Sequence, residues 1–249
     1  MIIEYHRPDT LPQALALLAR TGVDTVPLGG GTVLNRPSPT PLAVVDLQNL
    51  GLNSIQAAGR KIIIGAAATL QSLLDAPEIP AGLKDALHRE GTHNLRQVAT
   101  AAGSLVAAHG RSPFAAAMLA LGAELTFQPG DTAVPLGDYL PLRGAQDFGA
   151  LITAIEIPAQ AELTCEYIAR SPEDLPLIGA AVARWPSGRT RVALSGYGKA
   201  PLLAFDGPAP EGAEIAAADA YREAGDARAS AAYRSAMAAA LTRRALSGD

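Results

Sequence analysis

Cysteine is nearly absent from this chain of 249 residues, which contains only Cys165. One thiol cannot form an internal disulfide, and by itself it cannot hold an iron–sulfur cluster or a thiolate zinc site. Basic residues are also in deficit, since 20 Lys and Arg stand against 24 Asp and Glu and give a net charge of −4. Nucleic-acid-binding proteins usually carry a basic field. The composition therefore excludes cysteine-ligated metal chemistry within this sequence and predicts no nucleic-acid partner.

Long hydrophobic runs are missing as well. No stretch approaches the ~18 consecutive apolar residues of a transmembrane helix. The first eight residues contain Glu4 and lack the apolar centre of a signal peptide. Hydrophobic residues nevertheless make up 49% of the chain, which is enough to build a sizeable core. We therefore expect a folded cytoplasmic protein without a membrane contact.

Strand and helix patterns divide the chain into three expected units, at residues 1–57, 58–159 and 160–249. In the first unit, Thr10 is placed to cap a helix that lies between short apolar strand patterns, as in a βαβ layer. In the second unit, strand patterns at 61–66, 124–127 and 151–157 are mixed with helical patterns. The third unit has strand patterns at 162–170, 178–185 and 190–197, followed by an alanine-rich helical tail. The fold class predicted is α+β.

Three consecutive glycines, Gly29, Gly30 and Gly31, form the sharpest local motif. Glycine permits positive φ and lets a ligand approach the main chain closely. A row of N–H groups beside the hydroxyl of Thr32 suits phosphate oxygens. The motif is neither a P-loop nor the dinucleotide fingerprint, since both patterns are absent. A tight turn that binds no ligand is an equally good interpretation of this motif alone.

A second glycine segment, at residues 100–104, lies in the second unit. Taken alone, it is more typical of a buried junction between a helix and a strand. Ligand sites favour the boundaries between domains. Two such loops from adjacent units can therefore clamp one diphosphate between them.

Catalytic side chains are scarce in this sequence. The four histidines lack a metal-binding spacing such as H-E-x-x-H, so we expect surface or capping roles for them. Ser195 lacks the first glycine of a G-x-S-x-G motif, and Cys165 lies in a strand pattern typical of a buried, inert thiol. The residues therefore predict no catalytic group and no metal ligand.

The order and spacing of several segments resemble one known family. The segments that carry the resemblance are Tyr5-His6-Arg7-Pro8, Gly30-Gly31-Thr32, Val45-Asp46-Leu47 and the stretches at 64–69, 118–124, 155–158 and 232–246. Together they cover nearly the whole chain. They resemble the FAD-binding medium subunit of the molybdenum hydroxylases, the group of carbon monoxide dehydrogenase and xanthine dehydrogenase.

This resemblance implies a two-subdomain FAD-binding fold of the vanillyl-alcohol-oxidase (PCMH) type, followed by a C-terminal α+β domain. It implies FAD as the cofactor, with the diphosphate held by the first loop. The residues of that loop are Pro27, Leu28, Gly29, Gly30, Gly31, Thr32, Val33 and Leu34. The second contact loop would comprise Thr100, Ala101, Ala102, Gly103 and Ser104, and Ile152 would lie against the flavin.

The resemblance also implies partners. In such proteins the flavin takes electrons from an iron–sulfur small subunit, whose clusters are reduced by a molybdopterin-binding large subunit. The flavin then passes the electrons to an acceptor, and the protein positions and tunes the cofactor. We therefore expect a hetero-oligomer, in which this chain is an oxidoreductase only together with its partner subunits.

Several positions depart from the family pattern. Ala102 and Ser104 replace a glycine and an asparagine of the second loop, and Val33 replaces a polar residue of the first. Pro113 occupies the place of an aspartate that contacts the flavin, and Tyr167 that of a lysine near it. Because these changes remove expected contacts, a rival hypothesis is a non-catalytic assembly subunit on the same scaffold that has lost tight FAD binding. A free-standing FAD oxidoreductase has less support, since no substrate acid–base pair is visible.

Overall fold

The structure, a computed structural model, describes residues 1–35, 40–146, 149–171 and 174–248. Its strands form three sheets, with the strand orders β1–β3–β2, β4–β5–β8–β6–β7 and β12–β11–β10–β9. The strands are β1 Ile2–His6, β2 Thr25–Leu28, β3 Leu42–Asp46, β4 Ile55–Ala58, β5 Lys61–Gly65, β6 Glu124–Gln128, β7 Thr132–Pro135, β8 Leu151–Pro158, β9 Glu162–Ile168, β10 Ile178–Arg184, β11 Thr190–Ser195 and β12 Leu202–Gly207. The helices are α1 Leu11–Leu18, α2 Leu70–Asp75, α3 Ala81–Glu90, α4 His93–Val98, α5 Ala101–Val106, α6 Pro113–Leu121, α7 Leu136–Leu142, α8 Ala213–Ala220 and α9 Ala231–Ser247.

The first sheet is parallel and small. The side chain of Thr10 caps α1 by accepting a hydrogen bond from the N–H of Gln13, as the sequence predicts. Strand β2 pairs with β3 so that Leu28 lies beside Asp46. Leu47, directly after β3, packs in one cluster with Leu151 of β8. The N-terminal unit is therefore joined to the second sheet at the point where β2 and β3 end.

The second sheet is antiparallel and is covered by α6, in which all nine residues are buried. Ser112 caps this helix and Gly122 ends it, as predicted. The alanines of α6 allow close packing against both the second and the third sheet, because a methyl side chain adds little width. The core of the second unit consequently continues into alanines of β10 and β11.

The third sheet is also antiparallel and is buried on both faces. Successive side chains of a strand point to opposite faces, so Ala181 and Ala183 face α6, whereas Ala180 and Val182 pack towards α8 and α9. The three predicted strands and the broken helical tail of this unit are confirmed. No helix among the described residues is long and apolar enough to span a membrane.

The sequence analysis does not predict three of the strands and two of the helices, and the reason differs between the strands and the helices. Strands β4, β7 and β12 lie at the edges of their sheets, where few side chains are buried and alternation is weak. Helices α4 and α7 have only six and seven residues, and Pro141 interrupts α7. The expected boundary at 57/58 falls inside β4, which pairs with β5. We therefore propose a boundary at 54/55, and the boundary at 159/160 stays a proposal.

Candidate functional site

The two glycine segments predicted from the sequence lie against each other. A Cβ atom added to Gly30 would lie 1.6 Å from the carbonyl oxygen of Val98 and 3.1 Å from the amide nitrogen of Ala99. A Cβ on Gly29 would lie 2.5 Å from Oγ1 of Thr100. No side chain fits at Gly30. Glycine is therefore required where the first loop crosses Val98 and Ala99, directly before the second segment.

The first loop presents main-chain donors to a cleft. Gly31 has φ +68°, and the carbonyl of Gly31 accepts a hydrogen bond of 3.0 Å from the N–H of Asn35, which forms one helical turn. Within the described parts of the chain, no hydrogen-bond acceptor contacts the N–H groups of Gly30, Gly31 or Thr32. Free N–H groups at a turn with a positive φ form a concavity for an anion. This loop can therefore hold phosphate oxygens without a cationic side chain.

The second segment is not a loop, and this corrects the sequence prediction. Thr100 is the N-cap of α5, with Oγ1 accepting a hydrogen bond of 3.3 Å from the N–H of Gly103. The N–H groups of Ala101 and Ala102 donate to the carbonyls of Ala68 and Ala66, at 2.8 and 3.1 Å. The N–H of Ser104 donates to the carbonyl of Thr100 at 2.9 Å. These four N–H groups already have acceptors, so the second segment supplies a wall and a hydroxyl rather than an amide cradle.

A cleft of ≈ 520 Å³ opens between the two units at this crossing. Its walls come from the ends of β2 and β3, the turn after β3, the start of α2 and the end of α4. The lining residues are Tyr5, Leu28, Gly29, Gly30, Gly31, Asp46, Leu47, Gln48, Leu52, Asn53, Ala67, Thr69, Ser72, Gln97, Val98 and Thr100. A volume of this size is within the range of cofactor and ligand sites.

A second, smaller recess of ≈ 230 Å³ shares three wall residues, Gly29, Leu47 and Thr100, with the cleft. Its remaining wall is largely apolar or main chain. These residues are Pro27, Ala66, Ala102, Gly103, Val106, Phe127, Tyr139, Gly149, Ala150, Leu151 and Ile152. A polar cleft beside an apolar recess matches the chemistry of a dinucleotide, which joins charged phosphates to planar rings.

Asp46 is the single charged side chain among the residues that line the cleft. It is 2% exposed, and its Oδ1 accepts a hydrogen bond of 3.0 Å from the N–H of Gln48. The hydroxyl of Tyr5 donates to Oδ2. Nε of Arg7 lies 3.8 Å from the same oxygen, outside the cleft lining. The hydrogen bond to the carboxylate raises the pKa of the Tyr5 hydroxyl.

The predicted site residues divide into two groups. Those that line the cleft or its recess are Pro27, Leu28, Gly29, Gly30, Gly31, Thr100, Ala102, Gly103 and Ile152. Those outside both linings are Thr32, Val33, Leu34, Ala101, Ser104, Pro113 and Tyr167. Val33 is 45% exposed on the surface, and Ala101, the first residue of α5, is fully buried. Nine of the predicted residues therefore meet at the crossing of the two segments, and the binding roles expected for all of them stay a prediction.

Pro113 and Tyr167 lie in the packed region between the second and third sheets. Pro113 is the first residue of α6 and is buried. The ring of Tyr167 faces the guanidinium of Arg89 at 5.0 Å, and burial raises the pKa of its hydroxyl. Both positions lie outside the linings of the cleft and its recess, and the flavin contacts expected there stay a prediction.

A half-buried carboxylate, that of Glu90, lies in this region. Both carboxylate oxygens of Glu90 lie 2.9 Å from the hydroxyl of Ser112, and the N–H of Phe114 donates to Oε2 at 2.9 Å. Burial raises the pKa of Glu90 to about 7, although these hydrogen bonds oppose the shift. Glu90 therefore fixes the start of α6 rather than facing the cleft.

Sequence reasoning missed the part of the cleft formed by Tyr5, Asp46, Gln48 and Asn53. Of these four residues, Asp46 could have been identified from the sequence, because an acidic residue at the end of an apolar strand is unusual. The parallel register of β2 and β3, which brings Asp46 beside Leu28, could not be read from the chain itself.

The histidines lie at the surface or in local contacts, and Cys165 is half-buried, where the sequence analysis expected a buried thiol. His6 lies 2.9 Å from Oε2 of Glu4, and Nδ1 of His109 accepts a hydrogen bond of 3.1 Å from the N–H of Arg111. Burial raises the pKa of the Cys165 thiol to about 12, so it is a poor nucleophile. Over the described ranges, no three His, Cys, Asp or Glu side chains are grouped as a metal site would require.

Comparison with known proteins places this geometry in a family. Residues 1–160 match the family described as the FAD binding domain in molybdopterin dehydrogenase. The carbon monoxide dehydrogenase medium chain of Afipia carboxidovorans is 30% identical, with 98% of this chain and 95% of that protein covered. The uncharacterized protein YgfM of Escherichia coli K12 is 35% identical, with 83% and 79% covered.

A solved structure gives the same result for the whole fold. Reconstituted CO dehydrogenase from Oligotropha carboxidovorans superposes with a TM-score of 0.82 at 29% identity, over 98% of this chain and 96% of that one. The predicted PCMH-type FAD-binding fold followed by an α+β domain is thereby confirmed. The chain belongs to the FAD-binding domain family of the molybdopterin dehydrogenases, as an FAD-binding oxidoreductase subunit.

Proposed function

We propose that this chain is the flavin-bearing subunit of a cytoplasmic molybdenum hydroxylase and that it holds FAD across the crossing of its two glycine segments. FAD supplies the electron chemistry when bound, and the chain binds and orients it. The observation that carries the proposal is the contact at Gly30, where a Cβ would overlap the Val98 carbonyl. This contact places the first loop, whose N–H groups at Gly30 and Gly31 have no acceptor among the described residues, in the wall of the cleft.

The residues of the cleft fit a dinucleotide. The N–H groups of Gly30 and Gly31, which line the cleft, have no acceptor among the described residues, and Asp46 is the one carboxylate in the described part of the lining. The recess bounded by Phe127 and Ile152 provides an apolar place for a ring. Main-chain donors hold phosphate oxygens through charge-assisted hydrogen bonds, which are about twice as strong as neutral ones.

The departures from the family pattern do not remove this cradle. Ala102 lies in α5 with its N–H bonded to Ala66, so a glycine is not required there. Ser104 lies in the same helix and outside the cleft. Pro113 takes the first position of α6, where its missing N–H and its fixed φ suit a helix start. The rival hypothesis of an assembly subunit without FAD is therefore not favoured.

We further propose two partners, an iron–sulfur small subunit and a molybdopterin-binding large subunit. A relative of this chain is named as the medium chain of an enzyme, which supports a hetero-oligomer. Cys165 alone cannot ligate an iron–sulfur cluster, so another subunit would provide the clusters. The cytoplasmic location and the kinship with xanthine dehydrogenases belong to the same proposal.

The test is purification of the chain, alone and co-expressed with the products of its neighbouring genes. We expect a yellow protein that releases one FAD per chain on denaturation and a complex in which substrate reduces the flavin. Colourless protein that takes up no FAD from an excess would overturn the cofactor assignment. A flavoprotein that stays monomeric beside both neighbouring subunits would overturn the partner assignment and leave FAD binding intact.

A further inference from the structure

Among the described residues that line the cleft, one side chain is charged, and its sign is opposite to the one expected beside a diphosphate. The carboxylate of Asp46 forms part of the wall, and Asp46 is the register partner of Leu28, the residue before the glycine loop. A phosphate placed directly against it would be repelled, and at such short range salt screens the repulsion little. The position of Asp46 therefore restricts where the diphosphate can lie.

A purely structural role accounts for only part of the surroundings of Asp46. The bond from the Gln48 N–H to Oδ1 closes the turn after β3. The hydroxyl of Tyr5, whose side chain is 56% exposed and lines the same cleft, donates to Oδ2. An ionised carboxylate can accept about four hydrogen bonds. With one hydrogen-bond donor on each oxygen, and with Nε of Arg7 3.8 Å from Oδ2, Asp46 retains acceptor capacity.

The other polar side chains of the described lining, besides those of Tyr5 and Thr100, are neutral as well. They are Gln48, Asn53, Thr69, Ser72 and Gln97. Amides and hydroxyls beside a carboxylate suit the hydroxyl groups of a sugar. The N–H groups on the glycine side suit phosphate oxygens. The cleft thus combines a carboxylate acceptor at Asp46 with main-chain donors at Gly30 and Gly31.

We propose that Asp46 is the residue that orients the bound dinucleotide, by accepting hydrogen bonds from sugar hydroxyls next to the diphosphate and by keeping the phosphates on the glycine side. This inference rests on the proposed function, because it concerns the cofactor of that cleft. The hydroxyls belong either to the ribose or to the ribityl chain of FAD. Both present the same chemistry to a carboxylate, and the experiment separates them.

The experiment measures binding of FAD and of inorganic pyrophosphate to the full chain, by calorimetry, for the wild type and for Asp46→Asn. Loss of a charge-assisted hydrogen bond should raise the Kd for FAD by roughly tenfold or more. Removal of the negative charge should lower the Kd for pyrophosphate several-fold, so the two probes respond in opposite directions. Asp24→Asn is the matched control, since Asp24 is exposed at the other end of β2 and should leave both values unchanged.

Comparison of ADP with 2′-deoxy-ADP identifies the sugar. If Asp46 contacts the ribose, the wild type binds the deoxy compound more weakly, and Asp46→Asn binds the two equally. If it contacts the ribityl chain, both proteins bind the two compounds equally, while the loss of FAD affinity remains. Either result supports the proposal.

Folding of the variant is controlled in two ways. The melting temperature of Asp46→Asn is compared with that of the wild type. Tyr5→Phe removes only a hydroxyl from an exposed ring, and with it the hydrogen bond to the Asp46 carboxylate. This variant should bind pyrophosphate more weakly than the wild type, whereas Asp46→Asn should bind it more tightly. A wild type that binds no FAD would refute the proposed function itself. A wild type that binds FAD, with Asp46→Asn changing FAD and pyrophosphate affinity in the same direction or not at all, would refute only the role of Asp46.

Discussion

Replacement of Gly30 by alanine tests the geometry of the site most directly. The added Cβ would lie 1.6 Å from the Val98 carbonyl oxygen and 2.4 Å from its carbonyl carbon, whereas ordinary van der Waals contact begins near 3.4 Å. The two segments would have to separate by about 2 Å to restore that contact. The Val98 side is held in place, since the carbonyl of Ala99 accepts the N–H of Leu70 at 2.9 Å and the N–H of Ala101 donates to Ala68 at 2.8 Å. The glycine loop is therefore the segment that moves.

The displacement of the glycine loop should be measurable as a loss of stability and as a loss of FAD affinity. Overpacking in a tight contact costs about 1–3 kcal/mol of stability. A shift of the loop also removes N–H groups from the phosphate oxygens, and each charge-assisted hydrogen bond lost costs about 1.5–3 kcal/mol, or roughly a 10- to 150-fold rise in Kd. Gly30→Ala should therefore melt earlier and bind FAD at least about tenfold more weakly, as followed by flavin fluorescence during titration.

Gly137→Ala provides the matched control. Gly137 lies in α7, and a Cβ there would meet Cδ1 of Leu119 at 3.5 Å, an ordinary contact. Alanine at a compatible helical position is neutral or stabilising by about 0.4–1 kcal/mol, and the FAD affinity should not change. Wild-type affinity and melting temperature in Gly30→Ala would refute the argument that the crossing of the two segments forms the cofactor cradle.

Two further predictions concern buried charges. The pKa of Glu90 in the folded state is about 7, against an ordinary value of 4.5, so the folded state binds the proton more tightly than the unfolded state. The free energy of unfolding should therefore fall as pH rises from 4.5 to 7, by roughly 3 kcal/mol at most. Glu90→Gln should flatten this part of a urea-denaturation pH series, and an unchanged slope would contradict the assignment. Arg234 is 0% exposed and donates to carbonyls of Leu177 and Ala224 and to Asp226. Arg234→Ala should lower the free energy of unfolding, measured in denaturant, by about 3–5 kcal/mol. The control Arg243→Ala, which removes an exposed ion pair, should lower it by under about 1 kcal/mol. Equal losses in the two variants would show that the burial of Arg234 does not determine its contribution.

Several elements could be predicted because their signals are local. The helix that begins after Ser112 and ends at Gly122 is defined by a capping hydroxyl, a proline at the first position and a glycine at the end. Strand β10 reads as a continuous apolar run because both of its faces are buried. The edge strands β4, β7 and β12 escaped prediction because half of their environment is solvent, which leaves little pattern in the residues.

The sequence by itself determined where the chain can turn tightly or be approached closely, because Gly29, Gly30 and Gly31 lack a Cβ, and it left open whether that turn binds a ligand. It also determined the absence of a metal site built from its single cysteine. The tertiary structure decided which donors are free, because Ala101, Ala102 and Gly103 use their N–H groups to begin a helix and join the turn after β5. It also decided that Asp46 belongs to the cleft and that Pro113 and Tyr167 do not. The physical reason is that hydrogen-bond satisfaction and burial depend on neighbours far apart in the chain, which no local pattern records.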